Sequence, residues 1–172
     1  MAISNPYYYQ DGCLLLRLPN LPTSQPLVCR GARLSARKSP EIILFSTQLL
    51  PIGLDSRRIN WKELLEQALA VYQPQISRVH LKLRVLSQPD KGQISLIAPC
   101  DMAYLEYFFA KLSQLLGMTI QPPPAYIAVY SNLSQGPGPL SQADFDACPP
   151  CDISYALLRQ RNARIRIALK LG

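Results

Sequence analysis

The spacing of apolar and polar positions changes several times along this chain, and each change marks an element. From Arg78 to Leu86 the two kinds alternate, with Val79, Leu81, Leu83 and Val85 on one side and His80, Lys82 and Arg84 on the other. That two-residue period predicts a half-buried strand. Arg164 to Leu171 repeats it, setting Ile165, Ile167, Leu169 and Leu171 against Arg164, Arg166 and Lys170. Elsewhere the period lengthens to that of a helix. Trp61, Leu64, Leu65, Ala68, Leu69 and Tyr72 make one stripe, opened by an Asn60 cap with Glu63 three residues on and closed by Pro74. Leu105, Phe108, Phe109, Leu112, Leu115 and Leu116 make another, expected to start at Asp101 as N-cap and to stop at Gly117.

Short apolar runs bounded by turn residues supply the other strands: Cys13 to Leu18, Leu27 to Cys29, Glu41 to Ser46, Gln93 to Ala98 after a Lys91-Gly92 turn, and Ala125 to Ser131 after Pro122-Pro123-Pro124. Ser141 heads a short helical turn. Strands and helices in this order predict an α+β fold with mainly antiparallel sheets. No composition break marks a linker, so residues 1–172 are expected to form one domain.

Composition narrows the function classes. The 172 residues are 48% hydrophobic and 17% charged, which fits a folded chain and not a disordered one. No apolar stretch is long and uninterrupted enough to predict a membrane span, and Met1 to Pro6 lacks a leader pattern, so a cytoplasmic protein is expected. Eighteen Lys and Arg against eleven Asp and Glu give a net charge of +7, which favours an anionic partner. Five scattered cysteines include a Cys148-Pro149-Pro150-Cys151 spacing. With no second ligand pair to complete a metal site, and two prolines where a redox helix would begin, a structural turn is expected there. Neither a metal nor a cofactor is expected. The loop Gln135-Gly136-Pro137-Gly138-Pro139 lacks the Lys-Ser/Thr that follows a phosphate-binding P-loop.

Two strands half a chain apart share a pattern. Glu41-Ile42-Ile43-Leu44-Phe45-Ser46 and Tyr126-Ile127-Ala128-Val129-Tyr130-Ser131 each run an ionisable or hydroxyl residue, four apolar or aromatic residues, then Ser. This suggests two related halves around 41–46 and 126–131. With Pro122-Pro123-Pro124 leading the second copy, Gln93 to Ile97 ahead of the second helix, and Gly136-Pro137-Gly138-Pro139-Leu140-Ser141 behind, the chain resembles the 2H phosphoesterase superfamily, the LigT-like RNA 2′,5′-ligases and cyclic phosphodiesterases. The resemblance implies a two-lobed, pseudo-symmetric fold whose sheets form a concave cleft with helices packed outside. It also implies that the two motif strands meet at the cleft's centre. In family members each strand carries a His-x-Thr/Ser motif; one His acts as general base, the other as general acid, and the hydroxyls hold the phosphate.

Here the His positions hold Glu41 and Tyr126, and the hydroxyl positions hold Ile43 and Ala128. The chain has a single histidine, His80. Paired imidazole catalysis is therefore excluded, and no catalytic residue is assigned. The expected function is a catalytically degenerate 2H-like protein that binds RNA, a nucleotide or another phosphorylated ligand. His80, Lys82 and Arg84, read as a basic strand face without a balancing acid, with Arg164, Arg166 and Tyr126, are its candidate ligand-binding residues. Arg30, Arg33, Arg37 and Lys38 are candidates to extend that surface. The ordinary alternative for such a face is a solvated sheet surface. Two other functions compete: an active enzyme using Glu41 as base and Tyr126 as donor, and a non-catalytic protein whose basic surface meets an acidic partner. Tyr7-Tyr8-Tyr9 are candidates for base stacking, for packing at the core's edge, or for disorder near the terminus.

Overall fold

The chain begins with two hairpins that share one turn geometry. In the computed structural model, which describes residues 5–151 apart from positions 22, 23, 53, 55 and 81, β1 (Tyr7–Gln10) and β2 (Cys13–Arg17) are joined by Asp11 and Gly12 at φ 50° and 76°. β3 (Leu27–Cys29) and β4 (Ala32–Ala36) are joined by Arg30 and Gly31 at 49° and 76°. Two successive left-handed residues match the right-handed twist of the flanking strands, which is why Asp-Gly favours a hairpin. At Gly12 a side chain would also collide with Thr47 Oγ1.

β5 (Glu41–Ser46) pairs with β2 and completes a three-stranded sheet in the order β1-β2-β5. A larger sheet is built from β6 (Gln75–Val79), β7 (Arg84–Gln88), β8 (Gln93–Ala103) and β9 (Tyr126–Ser131) with the β3–β4 hairpin. Its order is β3-β4-β9-β8-β6, with β7 also paired to β8, and every pairing among the described strands is antiparallel. α1 (Trp61–Val71) and α2 (Leu105–Leu116) pack on each other, and a short α3 (Gln142–Asp146) follows β9. The architecture is α+β with antiparallel sheets. No described helix is long and apolar enough to cross a membrane.

The predicted strand from Arg78 to Leu86 is interrupted. Residues to Val79 pair with Cys100–Ala103 of β8 and residues from Arg84 pair with Gln93–Ile97, so the chain leaves β8 between His80 and Leu83 and returns further along it. The length of β8 is the cause. It runs through Pro99 to Ala103, so Asp101 lies in a strand and does not cap α2. α2 begins after Tyr104, whose φ of 65° turns the chain out of the sheet, and it stops at Gly117, φ 70°, as its sequence requires. The predicted strand Arg164–Leu171 lies outside the described residues, and Arg164 and Arg166 with it.

Alternation along β7, β8 and β9 gives the larger sheet two apolar faces. Val85, Leu96, Ala98, Ile127 and Val129 join the main core with α1 and α2. Leu86, Ile97, Tyr126 and Ala128 form a second, smaller core with Leu140, Phe145 and Cys148, contributed by the segment that carries α3. Cys148-Pro149-Pro150-Cys151 runs along β7, where Pro149 O accepts from Val85 N at 2.8 Å and Cys151 N donates to Leu83 O at 2.9 Å. Prolines cannot donate, so this edge is held by the carbonyl of Pro149 and the amide of Cys151.

Candidate functional site

Glu41 and Ile43 on β5, and Tyr126 and Ala128 on β9, line a single cleft together with Leu15, Arg37, Gly136 and Pro137. The i, i+2 spacing of each pair puts both members on one strand face, and the packing of β5 against β9 brings the two faces together. The cleft encloses only about 140 Å³. Small-molecule sites are usually larger, about 300–1,000 Å³.

Both polar groups at its centre are engaged within the chain. Tyr126 is buried and its hydroxyl donates to Gly138 O at 2.7 Å. Its ring stacks on Phe145, with centroids 6.1 Å apart and planes 24° apart. Burial raises the pKa of its phenol well above the ordinary tyrosine value. Glu41 Oε1 accepts from the hydroxyl of Tyr8, whose ring lies under the Arg17 guanidinium at 4.6 Å. Desolvation and the Glu41 hydrogen bond raise the pKa of that phenol as well. Tyr7, by contrast, is a core residue whose hydroxyl donates to Pro74 O at 2.8 Å. Of the tyrosine run, Tyr7 is therefore a core residue, while Tyr8 and Tyr9 are half-buried along β1.

The loop after β9 closes the cleft and is tied down from several sides. Arg37 Nη1 donates to Ser134 O at 3.0 Å, and Gln93 Nε2 donates to Gln135 O at 3.0 Å. Gln93 belongs to a buried network with Ser95 and Ser131, whose hydroxyls lie 3.0 Å apart. Gly136 is packed against the Arg37 guanidinium and Gly138 against Lys91 Nζ; a Cβ at either would stand 3.4 Å from the cation. Ser141 then caps α3, accepting from Asp144 N at 3.1 Å.

The expected basic strand face does not form. His80 lies beyond the end of β6 and its Nε2 is 2.9 Å from Asp101 Oδ1, so an acid does balance it. Lys82 is exposed in the connection between β6 and β7. Arg84 is half-buried; its Nη1 donates to Phe145 O at 3.0 Å and its guanidinium sits 4.8 Å from the Phe145 ring centroid. The interruption leaves only Arg84 of the three within a strand, and the register of β6 on β8 supplies the acid. Among the described residues, no cluster of His, Cys, Asp and Glu has the makeup of a metal site.

Arg37, Tyr8, Gln93 and Phe145 shape the site, and sequence patterns assign none of them this role. The signal for Tyr8 lies in the Asp11-Gly12 turn, which makes Tyr7–Gln10 the partner of β2. Nothing local marks Phe145, whose ring partner Tyr126 lies 19 residues away, or the bonds from Gln93 to Ser131 and Gln135, which span 38 and 42 residues. Comparison of this chain with protein-family models, curated proteins and solved structures finds no match.

Proposed function

We propose that this protein is a non-catalytic, 2H-phosphoesterase-like module that binds RNA or a nucleotide through basic surface beside a filled cleft. The observation that carries the reading is that both positions where the resemblance would place histidines are bonded within the chain. A general acid must release a proton near the operating pH, and its proton must face substrate. Tyr126 does neither, because its hydroxyl proton is directed at Gly138 O and burial strengthens the phenol's hold on it. Glu41, the other candidate, already accepts from Tyr8. Leu140 and Phe145 cover the sheet face on which Tyr126 and Ala128 lie, and the loop at 134–138 leaves too little volume for a nucleotide. These facts disfavour the enzyme using Glu41 and Tyr126.

Support for an anionic ligand comes from the net charge of +7. The test pairs two assays on the same preparation. Turnover of a 2′,3′-cyclic nucleotide or a 2′,5′-linked dinucleotide is expected to be absent. Single-stranded RNA is expected to bind with an affinity that falls as salt rises, because phosphate contacts displace counterions. Turnover that Glu41→Gln abolishes would restore the enzyme. Absent or salt-independent RNA binding would instead leave an acidic protein partner as the better reading.

A further inference from the structure

The outer edge of β7 is covered at one end and open at the other. Val85 N donates to Pro149 O, and Leu83 O accepts from Cys151 N. Backbone groups alternate between the two edges of a strand, so Leu83, Val85 and Ser87 face outward while Arg84, Leu86 and Gln88 face β8. The covering ladder ends at Pro149, whose nitrogen has no hydrogen to return to Val85 O. Ser87 is the next outward residue, and Pro89, the one after it, again has no N–H. Among the described residues, nothing on this side bonds the N–H or the C=O of Ser87, and Ser87 is exposed. A groove of about 460 Å³, within the range of small-molecule sites, is lined by residues 85–91 together with Leu140, Ala147 and Pro149.

One open residue, bounded by Pro149 and Pro89, is too short an edge to take up another strand. It does offer a donor and an acceptor side by side, because the N–H and C=O of a strand residue point the same way. A planar heterocycle with a ring nitrogen acceptor next to an N–H donor complements that pair. Adenine and cytosine carry this arrangement on their Watson–Crick edge, which is unpaired in a single strand. Leu140 and Pro149 give the groove apolar surface for the faces of a ring. Arg30 and Lys91 share the lining with Asp90 and Asp144, so the charges balance and a phosphate gains nothing there. We propose that this groove binds the amino-substituted base of a nucleotide, adenine or cytosine, the ring nitrogen accepting from Ser87 N and the amine donating to Ser87 O. The inference rests on the reading above and assigns the base, where that reading assigns the phosphates to basic surface elsewhere.

The experiment titrates the full, isotope-labelled chain with nucleosides and follows its backbone amides by NMR, alongside the RNA assay above. Adenosine and cytidine are expected to shift the Ser87 amide resonance to saturation. Dimethylation of the adenosine amine removes the N–H and should weaken binding by about tenfold or more. Neutral groups make both bonds, so nucleoside binding should be the same at low and high salt, unlike that of RNA. Ser87→Pro deletes the donor on an edge where proline is tolerated, and should weaken adenosine binding, read at Gln88, by a similar factor. If that variant unfolds, the two forms of adenosine decide the matter without it. Equal binding of adenosine and its dimethylated form, or shifts that leave Ser87 unmoved, overturn the groove. RNA binding with no nucleoside binding also overturns the groove and leaves the RNA reading intact. Nucleoside binding at Ser87 without RNA binding keeps the groove and removes RNA as the ligand. Failure of every probe to bind overturns both.

Discussion

The two walls of the cleft carry the same local pattern in different surroundings. β9 is hydrogen-bonded to β4 on one edge and β8 on the other, and all six of its residues are buried. β5 stands at the edge of its sheet beside β2, with Glu41 and Ile43 only half buried. Both strands end in a serine whose hydroxyl accepts from the amide two residues on, Ser46 from Gln48 N and Ser131 from Leu133 N, each at 3.2 Å. Only Ser131 also belongs to a buried network. A shared motif therefore fixes how each strand ends, while tertiary placement fixes what a change there costs.

The sharpest way to break this contrast is to cut into β9. Tyr126→Ala should destabilise by about 3–5 kcal/mol in denaturant unfolding, since it removes a buried ring and orphans Gly138 O. A cost below that of an ordinary surface change would show that the loop does not depend on Tyr126.

Next, Ser131→Ala should cost about 1–3 kcal/mol, because it leaves buried partners in the Gln93 network unsatisfied, and Ser46→Ala should cost less. Equal losses from the two serines would erase the asymmetry between the strand ends.

Alkaline pH provides a third comparison. Because burial raises the Tyr126 pKa, the folded state keeps a proton that the unfolded chain releases near pH 10. The unfolded state then binds fewer protons, so stability should hold below about pH 10 and fall as pH rises through and beyond it. Tyr126→Phe, measured by thermal unfolding across this range, should flatten the decline relative to the wild type. An unchanged slope would assign the loss to other groups.

The smallest effects belong to the exposed side. Glu41→Gln should shift stability by no more than about 1 kcal/mol, since the amide oxygen still accepts from Tyr8. His80→Ala should also stay within about 1 kcal/mol, since its bond to Asp101 is exposed. A loss at Glu41 matching that of Tyr126→Ala would show that β5 is held as tightly as β9, and a loss of several kcal/mol at His80 would show that the exposed bond anchors the end of β6.

Elements with local causes were legible in the chain. The Asn60 cap and the stripe from Trp61 produced α1, Gly117 stopped α2, Ser141 capped α3, and alternation placed Glu41 with Ile43 and Tyr126 with Ala128. The absence of a histidine from both motif positions was equally plain. Other features arose only when distant segments met. The stretch from Arg78 to Leu86 alternates cleanly, yet it breaks, because its two halves pair with separate stretches of one long strand. That break sends His80 to Asp101 and Arg84 to Phe145, so these two do not lie along one continuous strand. Arg37 shows the converse. Its loop position gives no hint of a structural part, and it gains one only because β4 pairs with β9 and sets it beside the cleft, where it bonds Ser134 O. Periodicity reports which side chains share a face. Which faces meet depends on strand pairings between distant segments, and those contacts leave no local trace in the chain.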